Sequence, residues 1–332
     1  MQVPYGQYIN KKNNRMKVID SIRKAKTPLF TFELLPPKKG GKIDNLYQTV
    51  NDLVEFEPSY INVTYHQHEI EYYERGDGLM EKKVVQKRPG TISISSALYN
   101  KFKIPVVPHL ICGGFTKEET EDALIDLNFL GFNNILALRG DPVSGQKRFK
   151  PEPGGHVHAN ELVSQIVQMN RGQYLNPNLK NTTASDFCVG VAGYPEKHYE
   201  SPNMETDIYW LKKKVEAGAD YIVTQMFFDN AKYFHFVEKC REAGIQVPII
   251  PGLKPISTFK DIDMIPRAFY IDIPNELCQE VGKCKTREQV RQVGVEWTAQ
   301  QAMELKRYGV PALHFFTLSQ SDNIRKIAAR VF

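Results

Sequence analysis

Thr31-Phe32-Glu33-Leu34-Leu35-Pro36-Pro37 sets an ionisable carboxylate inside an apolar run that two prolines then stop. Leu29 to Leu35 has the pattern of a fully buried strand, and the proline pair, which lacks amide donors, ends it. A buried acid is costly unless it is paired or used. Glu33 stands at the C-terminal end of this strand, where barrel enzymes keep their chemistry.

Seven further β-branched apolar runs follow: Tyr60 to Thr64, Val106 to Leu110, Asn134 to Leu138, Phe187 to Ala192, Tyr221 to Gln225, Val247 to Pro251 and Ala312 to Phe316. Amphipathic segments separate them. Ile43 to Phe56 carries Ile43, Leu46, Val50, Leu53 and Val54 at helical spacing. Thr116 and Glu119 form a capping box, and Gly131 closes the helix that carries Leu124, Leu127 and Leu130. Strand and helix alternating eight times imply a parallel sheet closed into a (β/α)8 TIM barrel, an α/β fold. An open doubly wound sheet is the alternative, but Pro36-Pro37-Lys38-Lys39-Gly40-Gly41 cannot supply its Gly-x-Gly-x-x-Gly turn. No composition break divides residues 1–332, so a single catalytic barrel is expected, with residues 1–15 as a flexible N-terminal extension. Arg148 to Asn160, rich in Pro, Gly and His, has the look of a long functional loop, and Asn170 to Ser185 of a polar surface insertion.

With 332 residues and 42% hydrophobic content, the chain can bury a sizeable core. Its formal charge of +5 is modest and its Lys and Arg alternate with acids, which favours an anionic small molecule over nucleic acid. The five cysteines, Cys112, Cys188, Cys240, Cys278 and Cys284, form no C-x-x-C pair, the pattern of reduced thiols in a cytoplasmic protein. The first twenty residues lack a signal-peptide core, and no window approaches about 18 uninterrupted apolar residues, so no membrane span is expected.

In a barrel the strand ends share one mouth, which collects Glu33, Thr64, His109, Arg139 with Asp141, Tyr194 and Gln225. Each also has a plainer explanation. Glu33 is either a structural acid paired with a lysine or arginine, or a general acid whose pKa apolar neighbours raise. Arg139-Gly140-Asp141 allows a local salt bridge, and His109 an ordinary satisfied core histidine. Asp207 and Lys214 lie seven apart on one helix face, and Lys212-Lys213-Lys214 suits either solvent or a phosphate-bearing cofactor. His66-Gln67-His68 and His156-Val157-His158 raise a metal alternative, although the last strand offers only His314 to complete a ligand set.

Seven ordered segments resemble those of the methylenetetrahydrofolate reductases: Thr31 to Pro37, Asn62-Val63-Thr64-Tyr65, Pro108-His109-Leu110, Ala137 to Asp141, Val191 to His198, Leu211 to Asp220, and Thr224-Gln225-Met226-Phe227-Phe228. The resemblance runs from about residue 16 to the C-terminus. It implies a barrel that binds FAD non-covalently, takes hydride from NADH or NADPH and reduces 5,10-methylenetetrahydrofolate to 5-methyltetrahydrofolate. Glu33 matches the family's acid, which protonates the folate so that its five-membered ring opens to an iminium. Asp141 matches the aspartate near flavin and pterin, where a carboxylate lowers the flavin potential, and Gln225 matches a glutamine that hydrogen-bonds folate. Thr64, His109, Leu138, Arg139, Gly140, Asp141, Ala159, Tyr194, His198, Asp207, Lys213 and Lys214 fall on FAD positions.

The chain also departs from the family. Thr317-Leu318 is followed by Ser319-Gln320 where an Asn-Arg pair is common, so an arginine contact to folate is missing or moved. Asp261 and Ile265 stand near positions where bacterial relatives use glutamine and phenylalanine. The length resembles the short bacterial form, without the regulatory domain of longer eukaryotic members. Several members assemble, so a homo-oligomer is among the expectations. Two other classes compete: a metal-dependent barrel hydrolase, and a folate-binding or methyl-transferring barrel without redox activity.

Overall fold

Strand β1 (Leu29–Leu34) is followed along the chain by β2 (Tyr60–Val63), β3 (Glu69–Glu74), β4 (Met80–Val85), β5 (Val106–Ile111), β6 (Asn134–Leu138), β7 (Cys188–Gly193), β8 (Tyr221–Met226), β9 (Ile249–Leu253) and β10 (Ala312–Phe316). The computed structural model describes residues 16–332 apart from 144, 145 and 147. The extension expected at residues 1–15 lies outside the described residues.

Eight strands close into one barrel in the order β1-β10-β9-β8-β7-β6-β5-β2. Every neighbouring pair is parallel, and β1 seals the ring by pairing Thr31 with both Tyr60 of β2 and His314 of β10. Each of the eight expected runs lies on a barrel strand. The Val247 to Pro251 run is displaced, since the ladder takes up Ile249–Leu253. Strand alternation sorts the side chains. Phe30, Phe32 and Leu34 face outward into the layer shared with the helices, with Val50, Leu53, Ile61 and Phe315. Tyr60, Val107, Leu136, Cys188, Tyr221, Ile250 and Ala312 fill the interior.

The interior is stoppered at the N-terminal end of the strands by the helix Val18–Lys24, whose Val18 and Ile19 join the interior cluster. Asn134, first in β6, fixes this plug: its Oδ1 accepts from the Val18 amide at 2.8 Å and its Nδ2 donates to the Met16 carbonyl at 3.0 Å. Chemistry is therefore confined to the opposite end. Gly252 leaves room there for Phe316, since a Cβ on it would lie 2.6 Å from the Phe316 ring and 2.3 Å from the Thr224 carbonyl oxygen.

One local expectation changes, and one element is added. The helix expected over Ile43 to Phe56 is α-helical only for Asp44–Leu53, then tightens to a 3₁₀ turn through Phe56, which turns Val54 out to 44% exposure. The segment after β2 forms an antiparallel hairpin, β3 with β4, turned at Gly76-Asp77-Gly78. The capping box holds: Thr116 Oγ1 accepts from the Glu119 amide at 3.2 Å and Glu119 accepts from the Thr116 amide at 2.8 Å.

Candidate active site

Glu33 is the inward-facing residue of the last turn of β1, beside Asn62 of β2 and Phe316 of β10. Among the described residues no lysine or arginine pairs with it. Its nearest ionisable partner is His109 on β5, whose Nε2 lies 3.7 Å from Oε2, while the Glu33 side chain keeps only 14% exposure. Burial removes water from the carboxylate and raises its pKa from 4.5 to about 8. Burial, with smaller contributions from His314 and His66, pushes His109 down to about 3. At neutral pH the contact therefore joins a protonated acid to a neutral imidazole. Asn62 Nδ2 lies 3.2 Å from the same His109 Nε2.

One layer deeper, His314 Nδ1 is 2.9 Å from Thr31 Oγ1, and burial lowers this imidazole to about 3 as well. Two neutral histidines under the acid leave it without a cation that would draw its proton away. The rim is tied across the β1–β10 seam. Thr317 Oγ1 donates to the Glu33 carbonyl, and Ser319 Oγ accepts from the Leu35 amide at 3.1 Å and donates to its carbonyl at 2.9 Å.

A second group gathers beyond β6 and β7. Gly140, at φ 86°, turns the chain after Leu138-Arg139, and Arg139 pairs with Glu200 while its guanidinium lies 5.0 Å over the Phe149 ring. Tyr194 meets His198 edge-on at 4.8 Å. Burial and the Arg139 charge bring His198 down to about 4. The helix Met204–Glu216 presents Asp207 and Lys214 to these rings, with the Lys214 ammonium 6.0 Å over Tyr194. Lys214 donates to the Ala192 carbonyl at 2.6 Å; burial, partly offset by Asp207, lowers its pKa to about 8. Asp207 is raised by burial and accepts from Ser201 Oγ at 2.9 Å. Ala159 opens the helix Ala159–Met169 beside them, where His158 stacks on Trp210 at 5.3 Å.

Lys213 is not brought to this group: it points to solvent and pairs with Glu216 at 2.7 Å. Asp141 is exposed, and its carbonyl accepts from Gln67 Nε2. Gln225, half-buried at the end of β8, accepts from the Met226 amide at 2.9 Å, and its own NH₂ has no partner among the described residues. Thr64 Oγ1 is buried with no partner among the described residues. Asp261 accepts from the Ser257 and Thr258 amides at 2.7 and 3.0 Å, fixing a turn, and Ile265 is packed with Met226 and Phe228. The two His-x-His pairs are spent separately, His68 near Glu152 at 3.7 Å and His156 on Gln165. Among the described residues no three His, Cys, Asp or Glu side chains converge to hold a metal ion.

Sequence inspection quoted Asn62 within a segment without singling it out, although it is a polar residue of the apolar run Tyr60 to Thr64, level with Glu33.

The family profile of methylenetetrahydrofolate reductase matches residues 17–331. Methylenetetrahydrofolate reductase (NADH) 1 of Arabidopsis thaliana is 31% identical over 92% of this chain and 49% of its own length. The chain thus spans about half of that plant relative. The 5,10-methylenetetrahydrofolate reductase of Escherichia coli is 30% identical over 88% of this chain and 86% of its own length. A solved Clostridium thermocellum protein, described as binding two copies of 5-methyl-5,6,7,8-tetrahydrofolic acid, superposes with a TM-score of 0.55 at 16% identity, covering 94% of this chain and 96% of its own, a likeness of fold. With the profile spanning nearly all of its length, from the plug helix to the last turn of the final helix, the chain belongs to the methylenetetrahydrofolate reductase family.

Proposed function

We propose that the protein reduces 5,10-methylenetetrahydrofolate to 5-methyltetrahydrofolate with electrons from NADH or NADPH, using bound FAD. The observation that carries this is Glu33, a carboxyl largely buried at the barrel mouth 3.7 Å from His109, whose pKa burial raises to about 8. FAD supplies the relay of hydride from nicotinamide to folate. The residues fit such a group. Thr64 offers a buried hydroxyl with no partner among the described residues, Lys214 an ammonium held by the Ala192 carbonyl, and Arg139 a guanidinium at the same rim. Thr64, His109, Leu138, Arg139, Gly140, Asp141, Ala159, Tyr194, His198, Asp207 and Lys214 are the residues that would hold it; Lys213, turned to solvent, is left out of the set.

Glu33 donates its proton to the ring nitrogen that leaves when the methylene bridge opens. The carbon then becomes an electrophilic iminium able to accept hydride. Gln225 offers its free amide to the pterin. Asp141 disfavours negative charge building beside it, weakly, because its exposed carboxylate is screened by water.

The direct test is spectroscopic. Protein reconstituted with FAD should be yellow, bleach anaerobically on addition of NADH or NADPH, and recover its absorbance with methylenetetrahydrofolate; a chain that takes up no FAD would sink the proposal. Lys214→Met should weaken FAD binding about tenfold or more, because a charge-assisted contact is lost. Lys213→Met should change it by less than about twofold, since its surface pair with Glu216 contributes little. Equal dissociation constants for the two variants, from flavin fluorescence titration, would remove Lys214 from the site.

A further inference from the structure

Lys254 follows directly on β9 and continues its alternation, so it takes the side of Ile250 and Gly252 and enters the mouth above Phe316. It is half-buried, and its ammonium has no hydrogen bond or ion pair among the described residues. By contrast Arg139 is paired with Glu200, Lys87 with Glu69 and Glu71, and Lys232 with Glu196 and Asp272. Asp261 is the acid whose charge reaches Lys254, yet it stands beyond ion-pair range with its oxygens already bonded to Ser257 and Thr258. Burial lowers the Lys254 pKa from its ordinary value, as expected of a cation desolvated without compensation. The neighbouring β10 end supplies no alternative cation, because Ser319 is committed to the Leu35 backbone and Gln320 is neutral.

An unanswered, half-buried ammonium is stabilised by an anion that arrives with a ligand. Gln225 lies one strand away on β8, which pairs with β9 through Met226 and Gly252. On the folate reading above, on which this rests, the formal negative charges of the folate are the carboxylates of its glutamate tail. We propose that Lys254 is a carboxylate-anchoring residue that holds the folate's glutamate tail at the end of β9, setting the length of substrate that spans from Glu33 to that strand.

The test uses the FAD-loaded protein and two ligands, 5-methyltetrahydrofolate and its uncharged α,γ-diamide, titrated by calorimetry. Wild type should bind the acid about tenfold more tightly than the diamide. Lys254→Met should lose that preference by weakening the acid alone, Lys254→Gln should behave the same way, and Lys254→Arg should recover most of it. Equal weakening of both ligands would overturn the proposal, because the lysine would then serve the pterin or the fold. A change confined to the KM of the pyridine nucleotide would overturn it too. If wild type binds neither ligand, the folate reading itself fails; if wild type binds both equally, the reading stands and the tail anchor falls.

Discussion

Glu33→Gln is expected to slow the folate half-reaction by about 10²- to 10⁴-fold, while the nicotinamide half-reaction stays within about twofold of wild type. The division follows from the proposed chemistry: the acid lies against His109 and level with Asn62 at the mouth of the barrel, and hydride transfer from nicotinamide requires no proton from it. Glutamine keeps the shape and removes the proton. Because burial raises Glu33 to about 8, the donor form dominates at neutral pH, and the wild-type folate half-reaction should decline as pH rises through about 8. That limb should be missing from the variant. Linkage gives an independent measurement. A carboxyl whose folded pKa lies above its ordinary 4.5 holds its proton more tightly when folded, so its contribution to stability is fully present below 4.5 and is lost as pH rises through about 8. Urea midpoints should fall across that window in wild type and fall less in Glu33→Gln. Equal damage to both half-reactions in anaerobic stopped flow would end the assignment of Glu33 to the folate step.

Gly294→Val is expected to destabilise the fold by about 3 kcal/mol or more. Gly294 lies in the helix Arg287–Tyr308, where a Cβ would stand 1.9 Å from the Ile256 carbonyl oxygen and 2.8 Å from its carbon. Neither atom can yield like a side chain, since both belong to the backbone just beyond β9. Either the helix lifts or the β9 loop shifts, and each movement opens the cluster of Met226, Phe228, Ile256 and Val290. Gly282→Ala makes the contrast: it too is helical, but nothing lies within 4 Å of the added carbon. It should be neutral or stabilising by up to about 1 kcal/mol. Matching urea midpoints for Gly294→Val and wild type would show that the helix does not rest on that carbonyl.

The barrel strands were legible because strands buried on both faces must be apolar along their whole length, and turn residues bracket them. Glu33 stood out against that background for the same reason. The hairpin was missed because Glu69 to Glu74 and Met80 to Val85 face water, where apolar runs are not required; only the turn at Gly76-Asp77-Gly78 marked it. The separation of Lys213 from Lys214 was beyond periodicity alone, since adjacent residues on a helix differ by about 100° and the facing direction depends on what packs below. Even the roles of Asn62 and His314 depend on contacts between strands distant in sequence, Asn62 with His109 and His314 with Thr31.

The seam between β1 and β10 has a consequence for how the protein is made. Thr317 reaches the Glu33 carbonyl across 284 residues of chain, as does Ser319 to Leu35. Such pairing carries a large loop-closure entropy, and during synthesis β1 must wait with one edge open until β10 has emerged. The strand that carries the acid is therefore completed last. Chains ending before Ala312 leave the Glu33 strand with an unpaired edge of the kind that aggregates, so the proposed proton donor is set in place only when the ring is sealed.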